Sequence, residues 1–416
     1  MSNLSTVFTT AVTNTAIYPG QSFFGSNNVQ VFTTTGTFLV PPNVNQIRVR
    51  VHGAGGSGAT AFRSGASARS ASGGGGGGLA IKTLNVTPGT SYAVTVGAGG
   101  ANVSNTVNGV NGISGGTSSF GSVCSATGGA GGVFTFSTST GVAAVAAAAT
   151  GGTGTGGDLN YTGGSSGVAT ATYNNASISV RAATGGGSSA CIFGNGFAGG
   201  AVTSTGTSGN ASTEVGGASG GGGVGGAGGL ITLTDSSPCF SAGGGTAGAA
   251  QDITDNTQFG NSSNGGSGLL NPRAKPPFYS GSALYSSSSV PTEVYNLGLA
   301  TPSATSSSFT SVRFYPANAV NRFVGDILMG QATNASFTGI LCSPGCGSAG
   351  NAASQPSFQT YNVFGGGGAN CDPNNNNVYA LNGGIGGGGG GGNASYNGGD
   401  TGTGGAGGGG LVIVEW

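Results

Sequence analysis

The sequence GGGGGGLAIKTLNVTPGTSYAVTV, residues 73–96, contains both kinds of segment from which this chain is built. Six glycines precede a strand-like run from Leu79 to Val86, in which a phase slip near Thr83 predicts a β-bulge. Residues 87–90, Thr-Pro-Gly-Thr, have proline and glycine at the two central positions of a type II turn. Alternation resumes over residues 92–96, so we expect a β-hairpin.

Strand signals also lie on both sides of this stretch. Val29 to Val40 is rich in β-branched and aromatic residues, and Gln46 to His52 alternates between apolar and basic side chains. The apolar run that starts at Leu411 follows four glycines, which predicts a buried strand paired with the early strands. Pairing of the last strand with the early strands would close one unit and predicts a single glycine-rich domain over residues 29–416. Residues 1–28 are expected to form an N-terminal arm or attachment segment.

The composition explains what lies between these strands. Glycine supplies 93 of the 416 residues, about three times its usual share, while only 5% of residues are charged. Disorder would require high charge and little apolar material, and collagen would require glycine at every third position. Glycine runs in extended, threefold polyglycine II-like helices can instead pack closely and exchange hydrogen bonds with their neighbours. We therefore expect a mostly β fold with stacked glycine-rich segments, a small β frame and very little helix.

One stretch departs from this composition. Residues 267–364 have few glycine runs and hold most of the prolines, with helical spacing over residues 320–328. We expect this stretch to be a long inserted loop region. Exposed aromatic and polar loops are typical of adaptable binding sites. The candidate receptor-binding residues are Phe278, Tyr279, Tyr285, Phe314 and Tyr315.

The sequence offers little for catalysis, metals or cofactors, and we expect none of the three. The only histidine, His52, stands beside two arginines on a strand, where an exposed or interface role is the simpler interpretation. A glycan hydrolase would need two carboxylates about 5–9.5 Å apart. Asp252 and Asp255 are the closest pair in sequence, and loop solvation or calcium contact is the simpler interpretation of them. Asp158 lies near glycines, where capping of backbone N–H groups is expected. Cys342 and Cys346 form the only close cysteine pair, which suits a small loop better than a zinc site. The formal net charge of zero argues against nucleic-acid binding, and no apolar stretch is long enough for membrane insertion.

Several of these segments resemble a known family. The string from Val31 to Val44, the string from Gln46 to Gly56, the stretch from Leu79 to Gly100 and the ending Gly-Gly-Leu411-Val-Ile-Val-Glu are similar to the glycine-rich domain family of phage tail fibres and other phage structural proteins. The resemblance implies a β frame that holds stacked glycine segments, with host-contacting loops between them. It brings no catalytic residue, and it does not cover residues 1–28 or 267–364.

The sequence therefore predicts a structural protein of a bacteriophage particle rather than an enzyme, assembled in the host cytoplasm. A tail fibre or adhesin subunit that binds a host surface receptor is the first hypothesis. A capsid decoration or head-fibre protein is the second, and a non-viral glycine-rich surface or ice-binding protein is the third. The third requires a flat, regular threonine face, whereas threonine is scattered along the sequence. The expected partners are other virion proteins, further copies of this chain, and a host surface glycan or outer-membrane protein.

Overall fold

The computed structural model of the chain describes residues 28–61, 67–105, 108–175, 179–192, 194–207, 215–223, 225–234, 239–240, 252–254, 301–302, 312–313, 364–371, 377–393 and 401–416. All of the regular structure in these residues is β. In chain order the strands are β1 (Val29–Phe32), β2 (Gly36–Leu39), β3 (Gln46–His52), β4 (Thr60–Ala61), β5 (Ser67–Ala71), β6 (Leu79–Asn85), β7 (Ser91–Thr95), β8 (Ser104–Asn105), β9 (Gly109–Val110), β10 (Ser118–Phe120), β11 (Cys124–Ala126), β12 (Phe134–Ser137), β13 (Ala144–Ala146), β14 (Gly154–Thr155), β15 (Leu159–Tyr161), β16 (Ala169–Tyr173), β17 (Ser179–Ala183), β18 (Val202–Gly206), β19 (Val215–Ala218), β20 (Ile231–Thr234), β21 (Cys239–Phe240), β22 (Ile253–Thr254), β23 (Thr301–Pro302), β24 (Val312–Arg313), β25 (Asn370–Cys371), β26 (Asn377–Tyr379), β27 (Gly392–Asn393), β28 (Thr401–Thr403) and β29 (Leu411–Glu415).

Two antiparallel sheets form a sandwich. Sheet 1 has the order β1-β29-β3-β6-β15, and sheet 2 has the order β14-β11-β10-β7-β2. Their facing side chains form one core, in which Phe38 packs against Phe120 and Trp416 with ring centroids 6.0 and 5.5 Å apart. The predicted closure is confirmed, because β29 lies between β1 and β3 and pairs with both.

Three details of this sandwich differ from the sequence predictions. Residues 29–40 form two strands in different sheets, since the chain crosses from sheet 1 to sheet 2 at residues 33–35. The predicted hairpin is wrong, because β6 and β7 also belong to different sheets. The turn itself is present, with Gly89 at φ +78° and the Thr90 N–H donating to the Thr87 carbonyl, and it serves as a corner of the sandwich.

The predicted bulge near Thr83 is also wrong. The pairing of β6 with β3 is continuous from Asn85 opposite Gln46 to Leu79 opposite His52. The phase slip arises because Lys82 stands opposite Val49, in the column that faces the core. Its amine reaches out to the carboxylate of Asp158 at 2.6 Å, so a lysine occupies an inward-facing position without being buried.

A second group of sheets lies at the other end of the glycine segments. Sheet 3 (β12-β5-β17-β19-β21) and sheet 4 (β13-β16-β18-β20-β22) share a core of alanine, valine, isoleucine, leucine and Tyr173. Sheet 5 (β25-β27-β4-β9) covers the other side of sheet 3, and sheet 6 (β26-β28-β8) completes the group. The remaining strands β23 and β24 pair with each other.

The glycine segments connect the two groups of strands and form the glycine bundle, which we define as residues 53–59, 72–78, 96–103, 111–117, 127–133, 147–153, 162–168, 184–190, 196–201, 219–223, 225–230, 364–369, 380–391 and 404–410. The hydrogen bonds of residues 53–59 show how the bundle repeats. Gly53, Gly56 and Ala59 donate to carbonyls of residues 72–78, while the two residues after Gly53 and the two after Gly56 donate to other segments. A neighbour that recurs every third residue indicates a helix of three residues per turn, as polyglycine II requires.

Residues 72–78 are the centre of the bundle, and all seven are buried. Backbone carbonyls of three neighbouring segments accept six of their seven N–H groups, and the Thr184 hydroxyl accepts that of Gly73. Segments 53–59, 147–153 and 184–190 donate to their carbonyls. Representative pairs are Gly74 N to Gly389 O (2.8 Å), Gly75 N to Ala130 O (2.9 Å), Gly76 N to Gly164 O (2.8 Å), Gly56 N to Gly75 O (2.9 Å), Gly152 N to Gly76 O (2.8 Å) and Gly187 N to Gly74 O (3.0 Å). Six neighbours around one threefold helix require glycine, since a Cβ on Gly76 would lie 2.0 Å from the Ser188 carbonyl oxygen.

The domain boundaries proposed from the sequence stay a prediction. The helical spacing at residues 320–328 and the cysteines Cys342 and Cys346 lie outside the described residues. No helix in the described part of the chain is long and apolar enough to span a membrane.

Candidate binding surface

The candidate receptor-binding residues Phe278, Tyr279, Tyr285, Phe314 and Tyr315 lie outside the described residues, so their roles stay predictions. The other residues considered from the sequence can be placed. Asp158 accepts a hydrogen bond from the Thr83 N–H at 2.9 Å, and Asp252 accepts one from the Leu230 N–H at 2.8 Å. Both carboxylates therefore cap backbone groups, as expected of Asp158. Hydrogen bonds from Lys82 and then Thr83 hold the pKa of Asp158 below its ordinary value.

His52 is buried at the junction of sheet 1 and the glycine bundle, so an exposed role is excluded. Its ring stacks on Phe364 with centroids 5.2 Å apart. Burial, followed by the nearby positive charge of Arg50, lowers the pKa of His52 to about 4. A neutral, enclosed imidazole packed on an aromatic ring is a structural element between two parts of the fold. Because the ring is enclosed within the chain, the interface role expected of His52 is wrong as well.

Three cysteines and two arginines are also enclosed. Cys124, Cys191 and Cys371 are buried, and burial raises the pKa of the Cys124 thiol to about 11. Arg69 and Arg181 stand opposite each other on β5 and β17 and are buried inside the stack of sheets. Among the described residues no group of three or more His, Cys, Asp and Glu side chains could hold a metal ion.

The most regular exposed surface is on sheet 4. Strands β16, β18 and β20 are parallel neighbours, and each contains the pattern Thr-x-Thr. Their register places the first threonines opposite one another and the second threonines likewise. We call the six residues the threonine face: Thr170, Thr172, Thr203, Thr205, Thr232 and Thr234. Strand β22 continues the first column at the register position of Thr254.

Alternation directs these threonines away from the core. The residues between them, including Ala171, Ser204 and Leu233, are buried in the layer shared with sheet 3. The threonines are half-buried or exposed. Adjacent strands lie about 4.8 Å apart and alternate residues of one strand about 6.6 Å apart, so the face is a two-dimensional grid. Exposed Val145, beside Thr170, and Val168 border this grid.

This face was not predicted from the sequence, because the three Thr-x-Thr tripeptides begin at residues 170, 203 and 232, far apart in the chain. The interpretation of threonine as scattered was wrong. The available signal was that each tripeptide belongs to a short strand that follows a glycine segment. Only the strand pairing in the folded sheet shows that these strands are neighbours.

A second surface lies on the outer side of sheet 1. Glu415 bridges two arginines on β3, with its carboxylate bonded to the Arg48 guanidinium and 2.7 Å from that of Arg50. Exposed apolar side chains flank this cluster, among them Val31 on β1 and Leu159 on β15. A flat apolar face around a bridged charge cluster has the mixed character of a protein–protein interface.

Comparison with known proteins agrees with the architecture. No curated protein matches the chain significantly. The sequence profile of a family described as "Glycine-rich domain" matches residues 33–275. The match covers more than half of the chain and includes the sandwich strands β2 to β15 and the threonine face. The chain belongs to this glycine-rich domain family.

Proposed function

We propose that this chain is a structural protein of a bacteriophage particle, a tail fibre or adhesin subunit that presents receptor-binding loops and catalyses no reaction. The observation that carries the proposal is the glycine bundle. Each central segment is bonded to several neighbours along its whole length, which gives a stiff core without charged side chains. Such a core suits a protein held in a fixed place in an assembly.

The outer face of sheet 1 supports an attachment role. It presents Val31, which is 54% exposed, next to the Arg48, Arg50 and Glu415 cluster. Apolar side chains around a cluster in which Glu415 is paired with both arginines favour a protein partner over a membrane or a nucleic acid, since the excess is a single positive charge. In this proposal sheet 1 binds another virion protein or a further copy of the chain.

The loop region at residues 267–364 provides the receptor contact in this proposal. Its aromatic residues give large contact areas with few rotatable bonds, and its serines and asparagines provide adaptable hydrogen bonds. A host surface glycan or an outer-membrane protein would be the receptor. The sequence resemblance to phage fibre domains favours this role over a capsid decoration.

The first test is to locate the chain on purified particles by mass spectrometry and immuno-gold labelling. Label at fibres or the tail tip is expected. Label over the head would replace the adhesin role by capsid decoration, and absence of the chain from particles would refute the proposal.

Two sets of variants then separate attachment from receptor binding. Val31→Asp should reduce incorporation into particles, whereas Leu39→Asp on the outer side of sheet 2, at 59% exposure, should leave it unchanged. Alanine at Tyr279 and Tyr315 should reduce host adsorption without reducing incorporation. Normal adsorption by these alanine variants would exclude the proposed contact region.

A further inference from the structure

The threonine face has a geometry that the attachment role does not use. We propose that it is an ice-binding surface. This inference does not rest on the virion proposal, because the face would bind ice wherever the chain is displayed.

The spacing of the threonine face is close to that of an ice lattice. Columns of threonine repeat across the strands at about 4.8 Å and along them at about 6.6 Å. Hexagonal ice exposes faces on which oxygen atoms repeat in a rectangular grid near these two spacings. A protein that holds hydroxyl and methyl groups on such a grid can place them where lattice water would lie. Scattered threonines could not do this.

The second argument is the chemistry of the face. Strands β13, β16, β18 and β20 contain no charged residue. Asp252 lies at the rim, where its carboxylate is bonded to the Leu230 N–H. An uncharged ligand therefore fits this surface better than an ionic one. The only aromatic residue of these strands, Tyr173, is buried on the opposite side, so stacking against sugar rings is not provided.

The third argument is that the hydroxyl groups are available. Within the described part of the chain, the side-chain hydroxyls of Thr170, Thr203 and Thr232 make no protein hydrogen bond. The neighbouring methyl groups of Val145 and Val168 continue the face as an apolar border. Water held over the methyl groups and anchored by the hydroxyls is the arrangement that joins a protein to an ice lattice.

The fourth argument is rigidity. Sheet 4 packs on sheet 3 through a continuous buried core, and sheet 3 is covered in turn by sheet 5. The strands of sheet 4 also continue directly from glycine-bundle segments, which hold their register. A surface that is ordered before binding loses little conformational entropy when it meets a crystal.

The test uses the purified full-length chain and two tyrosine variants. Thr203→Tyr places a ring above the centre of the threonine face, and Thr83→Tyr makes the same change at an exposed strand position of sheet 1. Both positions are on the surface, and tyrosine favours strands, so both variants should fold. Circular dichroism and thermal unfolding confirm folding before the ice assays.

The expected result is that the wild type produces thermal hysteresis, shapes ice crystals and partitions into growing ice. Thr203→Tyr should lower the hysteresis roughly tenfold, because the ring holds the lattice away from the other threonines. Thr83→Tyr should behave as the wild type. A second variant, Thr203→Val with Thr232→Val, keeps the shape and removes two hydroxyls, and should lose part of the activity.

Three outcomes would overturn the proposal. The wild type could have no effect on ice, or Thr203→Tyr could be as active as Thr83→Tyr, which would exclude this face. Binding to microcrystalline cellulose without any effect on ice would assign the face to a polysaccharide instead.

Discussion

The close packing of the glycine bundle predicts a severe effect of a single methyl group at Gly76. An alanine Cβ there would lie 2.0 Å from the Ser188 carbonyl oxygen and 2.4 Å from its carbon. Ordinary contact needs about 3.5 Å, so residues 184–190 would have to move by roughly 1.5 Å. That movement breaks the hydrogen bonds from Gly187 N to Gly74 O and from Ala190 N to Gly77 O, both 3.0 Å long.

The magnitude follows from these losses. Each broken bond leaves buried polar groups unsatisfied, which costs about 1–3 kcal/mol of stability. Alanine also restricts the unfolded chain, which offsets about 0.4–1 kcal/mol. For two such bonds, less this offset, we expect Gly76→Ala to lower the free energy of unfolding by about 1–6 kcal/mol.

Denaturant unfolding followed by circular dichroism measures this change. Gly409→Ala is the matched control, because no atom lies within 4 Å of a Cβ at that exposed glycine of residues 404–410. The control should stay within about 0.5 kcal/mol of the wild type. A Gly76→Ala protein as stable as the Gly409→Ala protein would refute the close-packed bundle.

Three further predictions concern charged and reactive groups. Glu415→Ala removes the shared partner of two arginines and should lower the free energy of unfolding by about 1–3 kcal/mol in denaturant titrations. Asp158→Asn, at a solvent-exposed pair, should have no resolved effect in the same titrations, and equal effects of the two variants would contradict this. His52 has a pKa of about 4 in the folded chain and an ordinary value of 6.5, so the folded state binds fewer protons between these values. The contribution of His52 to the free energy of unfolding is therefore complete above pH 6.5 and falls by up to about 3 kcal/mol as the pH falls to 4. His52→Gln should remove this part of the pH dependence of unfolding. Cys124, with a pKa of about 11, should resist iodoacetamide at pH 8 in the native protein and react after denaturation, as peptide mass spectrometry would show; equal native and denatured labelling would refute this burial.

The strands with strong local patterns could be predicted from the sequence. Gln46–His52 alternates because one side faces the sandwich core, and residues 411–414 are apolar because β29 is an interior strand of sheet 1, paired on both edges. The glycine bundle could also be predicted, since the composition leaves few other ways to fold. The burial of these strands is apparent from their own side chains, whereas the packing of the bundle is apparent from its glycine content.

The partners of the strands could not be predicted in the same way. The turn at residues 87–90 has the same local signal whether it joins two strands of one sheet or two sheets. The break between β1 and β2 falls in Thr33-Thr34-Thr35, which contains no glycine or proline to mark it. Glycine runs carry no side chains that distinguish one neighbour from another. The threonine face depends on which strands are neighbours, and it was therefore not predicted.

The position of β29 has a consequence for biosynthesis. Sheet 1 has β29 between β1 and β3, so the earliest strands of the domain cannot complete their pairing until residues 411–415 have been translated. Until then the nascent chain carries two unpaired strand edges, which are open to wrong pairing between ribosome-bound chains. The sandwich should therefore form only once residues 411–415 have left the ribosome. A slower ribosome would prolong the vulnerable interval, and yield should depend on translation rate and on chaperones that shield strand edges.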